Sequence, residues 1–225
     1  MNWVDAEYVL VVLAAMLSPL TLTWSVLALV LARRPLRTGS WFYLGALAMT
    51  LAIGFAAAFL FGGAAASRDA STPKAWVAVF DLAAAAFLVV WAGLLFRRPL
   101  APAREKAMVE RMTAVGSSRP VAVFAAGALL ANPGVFVPIA LKTISELDPS
   151  RGQYFVAWFV FALMSLLPLL AALVLLAFAP DRATPFLGRA RVWLVLHASA
   201  IAAVIVLVLA AALLRSGVAG LADQV

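Results

Sequence analysis

The sequence predicts an all-α integral membrane protein with six transmembrane helices, arranged as a three-plus-three inverted repeat with both termini outside the membrane. Three observations lead to this prediction. Hydrophobic residues make up 66% of the 225-residue chain and charged residues only 12%, more apolar side chain than a soluble domain of this size can bury. Most lysines and arginines fall in loops between apolar stretches. A polar residue followed by proline recurs inside two of those stretches.

Six stretches of about 20 residues or more carry almost no charge and define the predicted spans. They are residues 8–32, 41–62, 75–96, 121–141, 154–179 and 192–214. A helix of that length crosses about 30 Å of hydrocarbon and satisfies its backbone groups within one segment. We therefore expect a single membrane domain over residues 1–225, with a first repeat at 8–97 and a second at 120–214.

The distribution of basic residues predicts the orientation of the chain. With the N-terminus outside, the inside loops hold 12 of the 17 lysines and arginines. Loops on the inner side of membrane proteins carry an excess of these residues, so both termini are expected outside. The same dispersed pattern argues against nucleic-acid binding, which needs a basic patch. The inside residues are Arg33, Arg34, Arg37, Arg97, Arg98, Arg104, Lys106, Arg111, Arg119, Arg182, Arg189 and Arg191.

The longest connection, residues 97–120, is expected to contain a cytoplasmic basic linker at 98–119 with a short amphipathic helix. Met108, Met112 and Val115 recur there at helical spacing. One interpretation is a helix lying on the inner leaflet. The other is a docking site for proteins of envelope-lipid biosynthesis or export, and the sequence does not discriminate between them.

The two halves of the chain share a pattern. "SPLTLTW" from Ser18 and "NPGVFVP" from Asn132 each place a polar residue and a proline inside an apolar run, about 114 residues apart. In the third span of each half, Asp81 and His197 lie 116 residues apart. Three spans are an odd number, so the second copy must enter the membrane from the opposite side. Secondary transporters use such inverted repeats and bind substrate where their interrupted helices meet.

The paired prolines predict the binding site. Proline lacks the backbone N–H that a helix needs, and a broken helix survives in lipid only where it is buried in protein or lines a polar cavity. Ser18, Pro19, Asn132 and Pro133 are therefore the candidate substrate-binding residues. The alternative is an ordinary kink, which is how we interpret Pro168 because the other half has no counterpart.

Three charged or titratable residues are further candidates. A carboxylate in mid-helix costs about 2.5–3.5 kcal/mol, so Asp81 is either a proton-coupling residue or a structural polar contact. His197, the only histidine, suits proton coupling by its unperturbed pKa, although it is equally interpreted as a neutral hydrogen-bonding residue. Lys142 ends the fourth span and either snorkels to the interface or contacts an anionic headgroup.

No cofactor, metal site or enzymatic activity is expected. The chain has no cysteine and one histidine, which is too few ligands for a clustered metal site. It contains no GxSxG, HExxH or P-loop motif. These absences leave transport or binding as the expected class of function.

The six-span layout, the "SPLTL…ARRP" segment, the "ANP" of the fourth span and the basic central loop together resemble the LysE superfamily of exporters. They are most similar to its GAP/Sap branch, the peptidoglycolipid- or sulfolipid-addressing proteins. The resemblance covers residues 8–214. Amino-acid-exporting branches carry a Pro-Gly-Pro-like element in the first span and Asn-Pro-Lys in the fourth, whereas this chain has Ser18-Pro19-Leu20 and Asn132-Pro133-Gly134.

The resemblance implies a multi-pass protein of the bacterial inner membrane. Its expected function is a secondary transporter, or a transport accessory, that moves an amphipathic envelope lipid or glycolipid toward the outer face. Few charged residues lie within the spans, which favours lipid over a zwitterionic solute. The alternatives are a small-solute, amino-acid-like exporter and a non-transporting scaffold for envelope-lipid biosynthesis. A homo-oligomer is compatible with each of them.

Overall fold

The computed structural model describes residues 6–65, 86, 89–90, 93, 102–131, 133–134, 136–147 and 149–222. Secondary structure in this part of the chain is entirely helical, which confirms the all-α class. Its helices are α1 (Ala6–Met16), α2 (Pro19–Val30), α3 (Pro35–Ala65), α4 (Pro102–Gly116), α5 (Pro120–Leu130), α6 (Phe136–Glu146), α7 (Arg151–Ser165), α8 (Leu167–Phe178) and α9 (Pro180–Ala222).

Local sequence explains many of these helix starts. Proline opens five of the helices, where its missing N–H removes no intrahelical bond and its fixed φ favours the first turn. Helix α7 instead begins with a capping box. The Ser150 hydroxyl accepts from the backbone N–H of Gln153, and the Gln153 side chain accepts from the backbone N–H of Ser150.

Two continuous or nearly continuous segments are long and apolar enough to cross a membrane, Ala6–Val30 and Pro35–Phe59. The number rises to four if each of two bent helix pairs forms one crossing. One of these pairs is α7 and α8, which meet at an angle of 55° next to Pro168, as the proline predicted. Apolar helices of this length indicate a membrane protein, and the count of six spans stays a prediction. Most of the predicted third span, 75–96, lies outside the described residues.

Helices α3 and α5 pack closely against each other. A Cβ atom on Gly45 would collide with the carbonyl oxygen of Phe124, and one on Gly127 with that of Phe42. Glycine at both positions lets the two backbones touch, as small residues do in membrane helix interfaces. Gly45 and Gly127 therefore both serve the close packing of α3 on α5.

The buried apolar side chains divide into two clusters. The first cluster joins α2, the start of α3, α4, α5, α8 and α9, with Leu27, Phe42 and Leu166 among its members. The second cluster joins α1, α6 and α7 with one residue of α9, and contains Tyr8 and Trp158.

Helix α4 lies within the predicted linker, and its apolar side packs on the protein. Met112 is fully buried in the first cluster, and Val109 and Val115 pack against it. On the opposite side Lys106 and Glu110 are exposed and lie 4.0 Å apart. Helix α4 is thus held against the first cluster by the burial of Met112.

Candidate functional site

The first helix break lies at Ser18, between α1 and α2. Ser18 leaves the helical conformation with ψ of 114°, and Pro19 starts the next helix. Its hydroxyl makes no capping bond and instead shares a hydrogen bond of 3.2 Å with the Thr21 hydroxyl. One bond between two hydroxyls leaves one O–H proton for another acceptor. Ser18 is nevertheless only 6% exposed, so a polar group is placed inside the protein at this break.

The second break separates α5 from α6 around Pro133. The Pro133 ring is fully buried, and its carbonyl oxygen accepts from the N–H of Phe136 at 2.7 Å to begin the turn into α6. Because proline has no N–H, the carbonyl of Leu129 lacks its usual i+4 donor. The predicted site residue Asn132 lies outside the described residues.

Both breaks fall where one cluster gives way to the other. Ala15, before the first break, belongs to the second cluster, whereas Trp24, after it, belongs to the first cluster. At the second break the order reverses, with Ala131 in the first cluster and Phe136 in the second. The two interruptions therefore mark the same boundary within the apolar interior.

Buried hydroxyls continue from the breaks into α2 and α6. In α2, Thr23 donates to the carbonyl of Pro19 at 2.6 Å. The hydroxyls of Ser25 in α2 and Thr143 in α6 are buried and find no hydrogen-bond partner among the described residues. Buried polar atoms are nearly always paired, so each of these hydroxyls marks a place where a further polar group fits.

Of the two predicted proton-coupling residues, His197 lies in the described part of the chain. His197 is exposed on α9, where its ring stacks on Trp193 with centroids 4.9 Å apart. Its Nδ1 lies 2.9 Å from the carbonyl oxygen of Trp193, and since a carbonyl only accepts, this bond puts the proton on Nδ1. Asp81 lies outside the described residues. Lys142 is half-buried in α6, four residues before the helix ends at Glu146.

Sequence reasoning missed a second polar feature, a basic cavity of about 230 Å³ between the α2–α3 loop and the α4–α5 loop. Arg33, Arg34 and Arg37 line it, and the sequence predicted these residues on the inner side of the membrane. The signal available was the spacing of the three arginines together with Trp41 at the start of the same span. No group of histidine, cysteine or carboxylate residues suited to a metal ion is present among the described residues.

No curated protein and no solved structure matches the chain. One family model matches residues 9–219, that of SfLAP, described as Sap, sulfolipid-1-addressing protein. The match spans almost the whole chain and includes both helix breaks and the basic cavity. The chain belongs to the Sap, sulfolipid-1-addressing protein family.

Proposed function

We propose that this protein is a secondary transporter, or a transport accessory, that moves an amphipathic envelope lipid or glycolipid toward the outer face of the bacterial inner membrane. The observation that carries the proposal is the pair of buried helix breaks at Ser18 and Pro133, both at the boundary between the two apolar clusters. Membership of a sulfolipid-addressing family points to lipid as the substrate class. The protein acts by binding and movement, without enzymatic chemistry or a cofactor.

The helix pattern supports an inverted repeat. Helices α1 and α5 have 11 residues each and begin at positions 6 and 120, a difference of 114. Each is followed by a break, then by a helix of 12 residues in α2 or 11 in α6. The contacts are also reciprocal, since α1 packs against α7 and α5 packs against α3. This order is what two related three-helix units would produce, as in the LysE exporter superfamily that the sequence resembles.

The two breaks give the repeat a site that opens alternately to the two faces. Each broken span has one half in each cluster, so rocking one cluster against the other bends the chain at Ser18 and Pro133. Transporters with discontinuous helices bind substrate at such points, through helix ends and unwound backbone. The unpaired hydroxyls of Ser25 and Thr143 supply further polar contacts along the route of the headgroup.

The test is a leaflet-exchange assay. The purified protein is reconstituted into vesicles that contain a sulfated glycolipid with a fluorescent short acyl chain, and dithionite quenching reports the labelled lipid in the outer leaflet. We expect exchange to be faster than in protein-free vesicles by about tenfold or more, a barrier reduction of about 1.4 kcal/mol. Exchange at the protein-free rate would overturn lipid transport. Efflux of a labelled amino acid from the same vesicles would instead identify a small-solute exporter.

A further inference from the structure

The geometry points to the basic cavity as a binding site for the sulfate or phosphate oxyanion of an anionic lipid headgroup at the inner-leaflet surface. This inference rests on the proposed function for the lipid substrate. It adds that the lipid headgroup is anionic and names the residues that bind it. The cavity is lined by residues of two separate loops and of the helix starts next to them, and none of the described residues that line it is acidic.

The charge of the cavity selects an anion. Arg33, Arg34 and Arg37 are exposed and lie within five positions of one another around the start of α3. None of them forms an ion pair with a described residue. A guanidinium presents planar N–H groups that bind the oxygens of sulfate or phosphate in pairs. Three such groups around one cavity are suited to a tetrahedral oxyanion.

The backbone adds to this positive field. Helix α3 begins at Pro35 and helix α5 at Pro120, and the first turns of both line the cavity. The N–H groups of a helix start are not used within the helix and attract anions. The hydroxyls of Ser117 and Ser118 already donate to carbonyls of α4, Ser118 to Ala114 at 2.7 Å. Pro35 and Pro120 have no N–H, and the N–H groups of Thr38, Ala122 and Val123 already donate to backbone carbonyls. The principal donors to the ligand are therefore the arginines, in the field of the two helix starts.

The apolar side of the cavity selects a lipid over a free ion. Trp41, Pro120 and Val123 form this side, and Trp41 is 39% exposed. Tryptophan with an exposed edge is typical of the membrane–water interface, the depth at which headgroups lie. The volume of about 230 Å³ is below the roughly 300–1,000 Å³ of pockets that enclose a whole drug-sized ligand. The cavity thus accommodates a headgroup while the acyl chains remain in the bilayer.

The orientation expected from the sequence agrees with this use. The loops at Arg33–Arg34 and at Ser117–Arg119 were assigned to the same, inner side from charge alone, and they line or flank one cavity. A lipid destined for the outer face has to be captured from the inner leaflet. The cavity is therefore placed to select the substrate before it reaches the helix breaks.

The test measures binding of sulfated galactosylceramide, unsulfated galactosylceramide and inorganic sulfate to the detergent-solubilised protein by native mass spectrometry. Arg33→Gln, Arg34→Gln and Arg37→Gln are combined in one variant. The matched control combines Arg182→Gln, Arg189→Gln and Arg191→Gln, which remove the same charge from α9 on the same expected side and outside the cavity. We expect the cavity variant alone to lose affinity for the sulfated lipid by about tenfold or more, as removal of charge-assisted hydrogen bonds implies.

Equal losses in both variants would show general attraction to positive charge and overturn the site. Inorganic sulfate binding as tightly as the sulfated lipid would assign the cavity to a free anion and overturn the headgroup assignment. If the cavity variant fails to insert into the membrane, a second variant combines Arg33→Lys, Arg34→Lys and Arg37→Lys. It keeps the positive charge and removes the planar guanidinium groups. A reduced preference of that variant for sulfated lipid supports the cavity, and wild-type preference overturns it.

Leaflet exchange of the same variants separates this inference from the proposed function. If the wild-type protein exchanges sulfated and unsulfated lipid at the same rate, and the cavity variant does so too, the headgroup site is overturned and lipid transport is retained. Arginine-dependent binding without any exchange would retain the headgroup site and remove the transport function.

Discussion

The hydroxyl of Tyr8 in α1 donates a hydrogen bond of 2.6 Å to the carbonyl oxygen of Ala157 in α7, joining residues 149 positions apart. Both residues are buried in the second cluster. The bond fixes the first half of a broken span to a helix of the other half of the chain. A second bond of the same kind links Trp158 to α3, where its indole Nε1 donates to the carbonyl of Thr50 at 3.0 Å. Helix α7 is thereby held on two sides by side chain to backbone bonds.

Tyr8→Phe should destabilise the protein by about 1 kcal/mol, because the hydrogen bond is lost and the Ala157 carbonyl keeps its other backbone interactions. The measurement is unfolding by sodium dodecyl sulfate in mixed micelles. Tyr43→Phe is the matched control, since no described residue partners the hydroxyl of half-buried Tyr43. Equal destabilisation by the two substitutions would contradict the Tyr8–Ala157 bond.

Gly127→Ala should destabilise the protein by about 1–3 kcal/mol, the usual cost of overpacking a tight interior. The added Cβ would lie 2.7 Å from the carbonyl carbon of Phe42, and backbone cannot move aside as a flexible side chain can. Gly188→Ala in α9 is the control, because its Cβ meets nothing within 4 Å and alanine favours a helix. The same micelle unfolding assay compares them. A Gly127 variant as stable as the Gly188 variant would mean that α3 and α5 are farther apart.

Much of this fold could be predicted from composition and periodicity. The positions of α1 to α3 and α5 to α8 follow the predicted spans because apolar length and proline both act locally. The docking of α4 could not be predicted, since its amphipathic pattern suits a lipid surface and a protein surface equally. Only the three-dimensional contacts assign Met112 to the first cluster.

The breaks at Ser18 and Pro133 could likewise be predicted from the sequence, because proline removes a hydrogen bond from its own stretch of helix. The basic cavity could not be predicted, since its two loops are some 80 residues apart in sequence and meet through the packing of α3 on α5 and of α4 on α2. The arginines had a sufficient explanation in topology alone. Their convergence with Ser117, Ser118 and Val123 is a tertiary property.

Met112→Glu should release α4 from the protein. A buried carboxylate without a partner is unfavourable, and the lost burial of a methionine side chain removes about 1.5–3 kcal/mol of attraction. The measurement is limited trypsin digestion of reconstituted vesicles. Release of α4 is expected to speed cleavage after the lysine and arginines between positions 102 and 119. Thr113→Glu, one position along on the exposed side, is the control and should cleave at the wild-type rate. Matching digestion patterns for both variants would argue against docking through Met112.

Pro133→Ala should reduce leaflet exchange of the labelled lipid by several-fold, about 1 kcal/mol in barrier, while stability changes little. Alanine restores the N–H that the carbonyl of Leu129 lacks, so the break between α5 and α6 closes toward a continuous helix. Pro168→Ala is the comparison, because Pro168 lies in the 55° bend between α7 and α8 that we interpret as structural. Impaired exchange in Pro168→Ala together with wild-type exchange in Pro133→Ala would contradict a transport role for the break at Pro133.

Mass spectrometry of the lipids that copurify with the gently extracted protein shows whether the broken-helix site binds an amphipathic envelope lipid. Wild-type protein, Pro133→Ala and Pro168→Ala are prepared side by side from the same membranes. We predict that one anionic amphipathic species is enriched over the bulk membrane on the wild-type and Pro168→Ala proteins and depleted on Pro133→Ala. Bulk phospholipid in the same proportions on all three proteins would contradict lipid binding at this site.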